Sequence, residues 1–269
     1  MDLGLKDAAV CVQGGTKGMG RAAAECFAGD GARVAVLARG KEAIDATVVR
    51  LRELGSPDAF GVSIDLARPE TIEPAFAEIG RRWGELNTLV NAAGPHVSQK
   101  IWAEVPDESW YDAYTLGVMG AVRCARSALP WLRKAAWARI VNVSAMSSRS
   151  QGRGLSEYTA AKAALNSVTK NMSLELAPEN ILVNAVSPGT FVSDLLRAYL
   201  AGLPPEDRVD ADDLHAVMGW ISRKFAVRAD LGRAGLPSEI GPVICFLGSR
   251  RNSYMTGANV NVDGGSAFN

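Results

Sequence analysis

The residues best suited to chemistry in this sequence are a tyrosine and a lysine, Tyr158 and Lys162, which lie four positions apart. The pattern around them predicts a helix over residues 158–177, and side chains at positions i and i+4 share one face of a helix. An ammonium group beside a phenol favours the phenolate, which lowers the pKa of the tyrosine toward the range useful for proton transfer. We therefore predict that this pair exchanges a proton with a carbonyl or alcohol oxygen.

A second chemical feature is the glycine-rich turn over residues 13–20, which joins a predicted strand to a predicted helix. Such a turn lets the backbone approach a phosphate, and the helix N-terminus presents free N–H groups and the positive end of its dipole. The turn is therefore predicted to bind the pyrophosphate of a dinucleotide. Its predicted cofactor-binding residues are Gly14, Thr16, Lys17, Gly18 and Met19.

The choice of dinucleotide is predicted from the end of the next strand, residues 33–37, where there is no acidic residue. An acid there would accept a hydrogen bond from the 2′-hydroxyl of NAD, whereas basic residues bind the 2′-phosphate of NADP. Arg39 and Lys17 are placed to reach that phosphate, and an arginine can bind it with two charge-assisted hydrogen bonds. Each cation alone could equally be a solvated surface residue. Together they favour NADP(H) over NAD(H).

Short apolar runs alternate with longer amphipathic segments along the whole chain. The predicted strands cover residues 8–12, 33–37, 60–64, 88–91, 139–143, 181–186 and 259–262. The predicted helices cover residues 18–29, 41–54, 69–83, 109–132, 158–177 and about 238–247. This alternation is typical of a parallel sheet covered on both faces. We predict an α/β fold with one Rossmann-type, doubly wound domain over residues 1–269.

Residues 194–232 break this alternation, with a helical pattern but no strand. Ligands bind at the carboxyl ends of parallel strands, so a segment that follows such an end is well placed to cover a substrate. We predict a helical substrate lid over about residues 190–235, with a solvated surface insertion as the alternative. An apolar pocket beside it would suit a lipophilic carbonyl or secondary alcohol, although core packing explains the same side chains equally well. The candidates are Met146, Phe191, Leu195, Met218 and Trp220.

Composition excludes several classes of partner. The 29 Lys+Arg residues balance the 29 Asp+Glu residues, so the charge pattern does not indicate a surface for nucleic acid or for acidic membranes. No apolar stretch reaches the roughly 18 residues of a membrane span. The four cysteines are widely spaced in apolar stretches, which is typical of reduced core thiols. We expect a cytoplasmic protein that acts on a small molecule without a metal site.

Several short motifs follow one another in a fixed order along nearly the whole chain. They are the glycines Gly14, Gly18 and Gly20, the run Asn91-Ala92-Ala93-Gly94, the pair Tyr158 and Lys162, the turn Ser187-Pro188-Gly189, and the C-terminal runs Tyr254-Met255-Thr256-Gly257 and Val262-Asp263-Gly264-Gly265. Each is weak alone, but together they resemble the short-chain dehydrogenase/reductase family, in particular its 3-oxoacyl-ACP-reductase-like members.

The resemblance implies an oxidoreductase that interconverts carbonyls and alcohols and assembles as a homotetramer through helices 109–132 and 158–177. It also implies that Asp65 accepts a hydrogen bond from the adenine amino group and that the Leu66 backbone N–H serves the ring. An aspartate after a strand is also a common turn residue. Further implied cofactor contacts are Asn91, Ala92, Ala93, Gly94, Tyr158, Lys162, Pro188, Gly189 and Phe191.

Two positions depart from the family pattern. Ala145, thirteen residues before Tyr158, stands where the family has its catalytic serine. Ser147 lies on the same side of an extended segment, so we predict that it polarises the carbonyl, with turn formation as its alternative role. Gly117 replaces an asparagine of the family and could leave room for water or a bulky substrate.

Two other functions stay open. One, which Ala145 and Gly117 favour, is a catalytically weak NADP(H)-binding protein with a role in sensing or assembly. The other keeps the fold but catalyses a different reaction, such as dehydration or epimerisation.

Overall fold

The computed structural model describes residues 2–266, so Met1 and residues 267–269 of the predicted domain lie outside the described residues. Its sheet has seven parallel strands in the order β3-β2-β1-β4-β5-β6-β7. The strands are β1 Ala9–Gln13, β2 Arg33–Ala38, β3 Ala59–Ser63, β4 Thr88–Asn91, β5 Ala138–Val143, β6 Ile181–Pro188 and β7 Asn259–Val262. The predicted Rossmann-type α/β fold is confirmed.

Helices cover the sheet on both faces. They are α1 Gly18–Gly29, α2 Lys41–Glu53, α3 Ile72–Trp83, α4 Asp107–Tyr114, α5 Gly120–Leu132, α6 Ser156–Leu176, α7 Asp194–Ala201, α8 Leu214–Phe225 and α9 Pro237–Leu247. One face of the sheet packs against α1, α2 and α9, and the other packs against α3 and α5. Strands β1, β5 and β6 are buried throughout, which explains why their sequences are almost continuously apolar.

The carboxyl ends of β1 and β4 form the crevice that positions the candidate site. The chain runs outward from β1 to β3 and then returns to β4 on the other side of β1, and open α/β sheets bind ligands at such a reversal. The N–H of Ala92 donates a 2.9 Å hydrogen bond to the carbonyl of Gln13. This bond holds the glycine-rich turn beside the motif that follows β4.

The long helix predicted over residues 109–132 is interrupted in its middle. A π-helical turn, Thr115–Met119, joins α4 to α5, and such turns are frequent at functional sites. Gly117 is buried within this turn, and a Cβ atom added to it would lie 3.1 Å from Cδ of Pro95. Sequence periodicity did not predict the turn because the helical pattern resumes on both sides of it.

The chain between β6 and α9, residues 189–236, forms what we call the α7–α8 segment. It has its own small apolar cluster, so its two helices pack on each other as well as on the sheet domain. Ser193 caps α7 by accepting a hydrogen bond from the Leu196 N–H, and Asp213 caps α8. Within residues 2–266, no helix combines the length and the apolar character needed to cross a membrane.

Candidate active site

Tyr158 and Lys162 lie together near the start of α6, beside the carboxyl end of β5. Lys162 Nζ is 5.8 Å from the centroid of the Tyr158 ring and donates a 2.6 Å hydrogen bond to the carbonyl oxygen of Val143. Lys162 is only 3% exposed, whereas Tyr158 lines a cavity. The structure thus brings the predicted pair together, with the tyrosine on the cavity side.

Burial moves the pKa values of these two groups apart. Removal from water raises the pKa of Tyr158 to about 12 and lowers the pKa of Lys162 to about 8, because each charged form loses hydration. Burial therefore raises the pKa of Tyr158, where the sequence predicted that Lys162 would lower it. At neutral pH Tyr158 carries its proton and Lys162 is mostly protonated, which suits donation of a proton to a carbonyl oxygen.

The cavity lined by Tyr158 has a volume of about 240 Å³ and lies between α6, the ends of β5 and β6, and the α7–α8 segment. Among the described residues, no charged side chain lines it. Its polar side chains are Ser144, Ser147, Tyr158 and Thr190. Its apolar wall consists of Met19, Ala145, Met146, Leu155, Pro188, Phe191, Leu196, Ile221, Phe225 and Val227. A cavity with this lining favours an apolar ligand with one polar group near Tyr158.

Two of the five predicted pocket residues, Met146 and Phe191, line this cavity. Leu195 is instead 68% exposed, and Met218 and Trp220 pack inside the α7–α8 cluster. One position along a helix turns a side chain by about 100°, so the pocket-facing side of α7 and α8 could not be fixed from their sequence. Their cavity-lining residues are Leu196, Ile221 and Phe225.

Three serines follow β5, and their hydroxyl groups are used differently. Ser144 Oγ donates a 3.2 Å hydrogen bond to the carbonyl of Lys162. Ser148 Oγ donates to the carbonyl of Ala145 at 2.7 Å and accepts from Asn166 at 2.7 Å. Ser147 lines the cavity, and its hydroxyl makes no hydrogen bond to the rest of the described chain. Ser147 therefore has the hydroxyl that is free to bind a ligand.

Both of the positions that depart from the family pattern lie in buried parts of the structure. Ala145 is 6% exposed and forms part of the cavity wall. At Gly117, a Cβ atom would lie within 3.3 Å of both Pro95 and Ala161. The suggestion that this glycine leaves room for water or a bulky substrate is therefore wrong, because the Pro95 ring occupies that space.

The glycine-rich turn packs tightly against the motif that follows β4. Gly14 has a φ of 79°, and a Cβ atom on it would lie 2.5 Å from the backbone nitrogen of Ala93. A Cβ atom on Gly20 would lie 2.3 Å from the carbonyl oxygen of Gly14. These glycines are required by the turn itself, and they also leave its backbone open to a ligand.

The start of α1 faces the α7–α8 segment. The N–H of Gly18 donates a 2.9 Å hydrogen bond to Asp194 Oδ2. Thr16 is buried, Lys17 is exposed, and Met19 reaches the cavity. The predicted phosphate site and the predicted proton-transfer pair are thus neighbours across one crevice.

The predicted adenosine end of the cofactor site lies along the same edge of the sheet, after β2 and β3. Arg39 and Lys17 are both exposed, and neither forms an ion pair with a described residue. Asp65 Oδ1 accepts a 3.0 Å hydrogen bond from the Ala67 N–H, so this aspartate shapes the turn. Leu66 is 8% exposed and packs beside Gly120. The four positions all follow the carboxyl ends of β1, β2 and β3.

Sequence reasoning missed a buried polar ladder behind the site. Asn91 Nδ2 donates to Asn142 Oδ1 at 2.9 Å, and Asn142 Nδ2 donates to Thr169 Oγ1 at 2.9 Å. Gln13 Oε1 accepts a 3.2 Å hydrogen bond from the Ala93 N–H. The available signal was a polar residue in each otherwise apolar strand, since such residues are retained where they find partners. The ladder ties β4, β5 and α6 together behind Tyr158.

A seven-stranded parallel sheet with a glycine-rich turn, and with a cavity-lining tyrosine beside a buried lysine, is typical of dinucleotide-binding oxidoreductases. The family described as "Enoyl-(Acyl carrier protein) reductase" matches residues 14–267. A 3-oxoacyl-[acyl-carrier-protein] reductase, FabG, of Aquifex aeolicus is 32% identical over 98% of this chain and 99% of its own length. The meso-2,3-butanediol dehydrogenase of Serratia marcescens is 32% identical over 96% of this chain and 93% of its own length.

Solved structures show the same similarity. The L-sorbose reductase of Gluconobacter frateurii, solved with NADPH and L-sorbose, superposes with a TM-score of 0.92 at 28% identity, over 100% of both chains. This chain therefore belongs to the short-chain dehydrogenase/reductase family, as the motifs predicted, and is one of its oxidoreductases.

Proposed function

We propose that this protein interconverts a carbonyl and a secondary alcohol with NADP(H), and that Tyr158 is the proton donor and acceptor. The observation that carries the proposal is the cavity itself. Tyr158 shares its wall with Met19 from the glycine-rich turn and with Gly189 from the turn after β6. A substrate oxygen near the phenol would therefore lie beside the proposed nicotinamide site.

The chain's residues fit a bound dinucleotide. The turn at Gly14 has no room for a side chain, so backbone N–H groups at the start of α1 can approach a pyrophosphate. When bound, the reduced cofactor supplies a hydride. The residues proposed to hold it are Gly14, Thr16, Lys17, Gly18, Met19, Arg39, Asp65, Leu66, Asn91, Ala92, Ala93, Gly94, Tyr158, Lys162, Pro188, Gly189 and Phe191.

The preference for NADP(H) follows from Lys17 and Arg39, which have no anionic partner among the described residues. A 2′-phosphate would supply one, and arginine pairs with phosphate especially well. The L-sorbose reductase was solved with NADPH, which supports the same preference.

The proposed substrate is a lipophilic carbonyl or alcohol. The α7–α8 segment contributes Leu196, Ile221 and Phe225 to the wall, and we propose that it is the substrate lid. Hydroxyl groups of a sugar would find few partners in this lining, and an unpaired buried polar group is costly. This distinguishes the cavity from a site built for a polyol.

A panel of carbonyls tests the proposed function. We expect NADPH-dependent turnover of 2-octanone and ethyl acetoacetate, and a kcat/KM for L-sorbose at least about tenfold lower. Turnover is followed by the loss of reduced-nicotinamide absorbance. If NADPH binds and no carbonyl is reduced, the protein is instead the weakly catalytic NADP(H)-binding protein that Ala145 and Gly117 suggest.

Ser147 is proposed to polarise the substrate carbonyl. Replacing it with alanine is expected to lower kcat/KM roughly a hundredfold, as loss of one hydrogen-bond donor to a developing oxyanion does. Ser148→Ala is the matched control, because the Ser148 hydroxyl is already bound to Ala145 and Asn166. Equal rates for the Ser147→Ala variant and the unmodified protein would remove Ser147 from the site.

Reduction is expected to lose rate in alkaline solution, because Lys162 loses its proton as the pH rises through its pKa of about 8. Tyr158, with a pKa of about 12, keeps its proton over the same range. We expect kcat/KM to fall about tenfold per pH unit above roughly pH 8. The residual activity of Lys162→Arg should lack this inflection, since a guanidinium stays charged. A flat profile up to about pH 10 in the unmodified protein would contradict this role.

The proposed assembly is a homotetramer that buries the long helices α4–α5 and α6. Tyr111 is 70% exposed, Tyr114 50% and Leu174 63% in the isolated chain, so these helices present apolar side chains to solvent. Sedimentation velocity is expected to give the mass of four chains. A monomer at all concentrations would overturn this proposal.

A further inference from the structure

The segment that follows β4, residues 94–100, has no regular secondary structure and is hydrogen-bonded to both α6 and the α7–α8 segment. A Cβ atom on Gly94 would lie 3.1 Å from Lys162 Nζ, so this end of the segment touches the proton-transfer pair. At its other end, a Cβ atom on Gly154 would lie 3.3 Å from the backbone of Gln99. We call residues 94–100 the β4 loop.

Glu157, the residue before Tyr158, fastens the β4 loop to α6. Its side chain accepts a 2.7 Å hydrogen bond from the backbone N–H of Ser98 through Oε1. The residue is 2% exposed, and its buried Oε2 has no hydrogen-bond partner in the described chain. A carboxylate buried with so few partners is costly, so its single contact with the loop is its clearest role in the structure.

The β4 loop is also joined to both helices of the α7–α8 segment. Gln99 Oε1 accepts a 2.9 Å hydrogen bond from the Tyr199 hydroxyl on α7. The same hydroxyl accepts a hydrogen bond from Lys224 on α8. Lys224 Nζ lies 5.0 Å from the centroid of the Trp220 ring, a cation–π contact that holds it in place.

These contacts form a continuous series of hydrogen bonds from α6 to the helices of the cavity wall. Glu157 holds Ser98, the adjacent Gln99 holds Tyr199, and Tyr199 holds Lys224. The helices reached in this way carry Leu196, Ile221 and Phe225, which line the cavity opposite α6.

We propose that Glu157 is a positioning residue: it fixes the β4 loop against α6 and thereby holds the α7–α8 segment over the cavity. It lies outside the cavity lining and acts through Ser98 and Gln99. The positioning role itself is structural, and only the identification of the cavity as the substrate site rests on the proposed function.

Amide hydrogen exchange tests this proposal without any need for turnover. In Glu157→Ala, the amides of residues 96–100 and 195–203 are expected to exchange at least about tenfold faster, because local opening of both becomes easier. Glu157→Gln keeps an acceptor for the Ser98 N–H and should stay within about twofold of the unmodified protein. Glu175→Ala, an exposed position on the same helix, is the matched control and should change neither region.

Unchanged protection of both regions in Glu157→Ala would overturn the proposal. So would equally faster exchange in the sheet strands, since that would show a global loss of stability. If Glu157→Ala does not fold, Tyr199→Phe decides: it should speed exchange in residues 195–203 while the Ser98 amide stays protected by Glu157. Unchanged exchange in residues 195–203 of that variant would also overturn the proposal. Failure of carbonyl reduction would bear on the proposed function alone.

Discussion

Replacing Tyr158 with phenylalanine is expected to lower kcat for ketone reduction roughly a thousandfold, the contribution of a well-placed general acid. The substitution removes one hydroxyl from the cavity wall and leaves Lys162 bound to the Val143 carbonyl. Phenylalanine has no hydroxyl, so the substrate oxygen loses its proton donor. The Kd of NADPH is expected to stay within about twofold, since the ring itself is retained.

The measurement pairs steady-state rates with cofactor titration by nicotinamide fluorescence. Tyr254→Phe is the control, because Tyr254 is 98% exposed and its hydroxyl has no role in the site. If Tyr158→Phe kept the rate of the unmodified protein, another group would have to supply the proton.

The second large effect is expected from removing the two basic residues beside the predicted 2′-phosphate site. The double substitution Lys17→Ala with Arg39→Ala should weaken NADPH binding at least about a hundredfold, since each charge-assisted hydrogen bond contributes about 1.5–3 kcal/mol. NADH lacks the 2′-phosphate, so its Kd should change little. Both dissociation constants are measured by titration at one fixed salt concentration, because salt screens exposed charges.

Arg50→Ala provides the control for a general change of surface charge. Arg50 is an exposed cation on α2 and pairs with Glu53 at 3.4 Å. The Arg50→Ala substitution should leave the affinities for NADPH and NADH unchanged. Equal weakening of NADPH and NADH in the double variant, or tighter binding of NADH by the unmodified protein, would contradict the proposed preference for NADP(H).

The sequence predicted those features that depend on local pattern and ordered motifs. Strands such as β5 and β6 are buried on both faces, so continuous apolar runs were sufficient to identify them. The tight turn at Gly14 was predictable from the spacing of its glycines. The structure gives the reason for the glycine, because a side chain at this position would collide with Ala93. Helical spacing placed Tyr158 and Lys162 on one face of α6, and the ordered motifs around them gave the pair its predicted role.

Features that depend on tertiary packing were not predictable. The pKa of Tyr158 is raised because the fold buries it, and spacing along a helix does not reveal burial. The pocket-facing side of α7 depends on how the α7–α8 segment docks, so Leu196 lines the cavity where Leu195 was expected. The tight packing of Gly117 against Pro95 joins residues that are distant in sequence.

The most direct test of the proposed activity follows the hydride itself. NADPH carrying deuterium at its transferable position is incubated with 2-octanone and the unmodified protein, and the alcohol is analysed by mass spectrometry. We expect 2-octanol with deuterium on its carbinol carbon, and no such product from Tyr158→Phe over the same time. Unlabelled alcohol, or bound NADPH that transfers deuterium to none of the carbonyls tested, would contradict the proposed function.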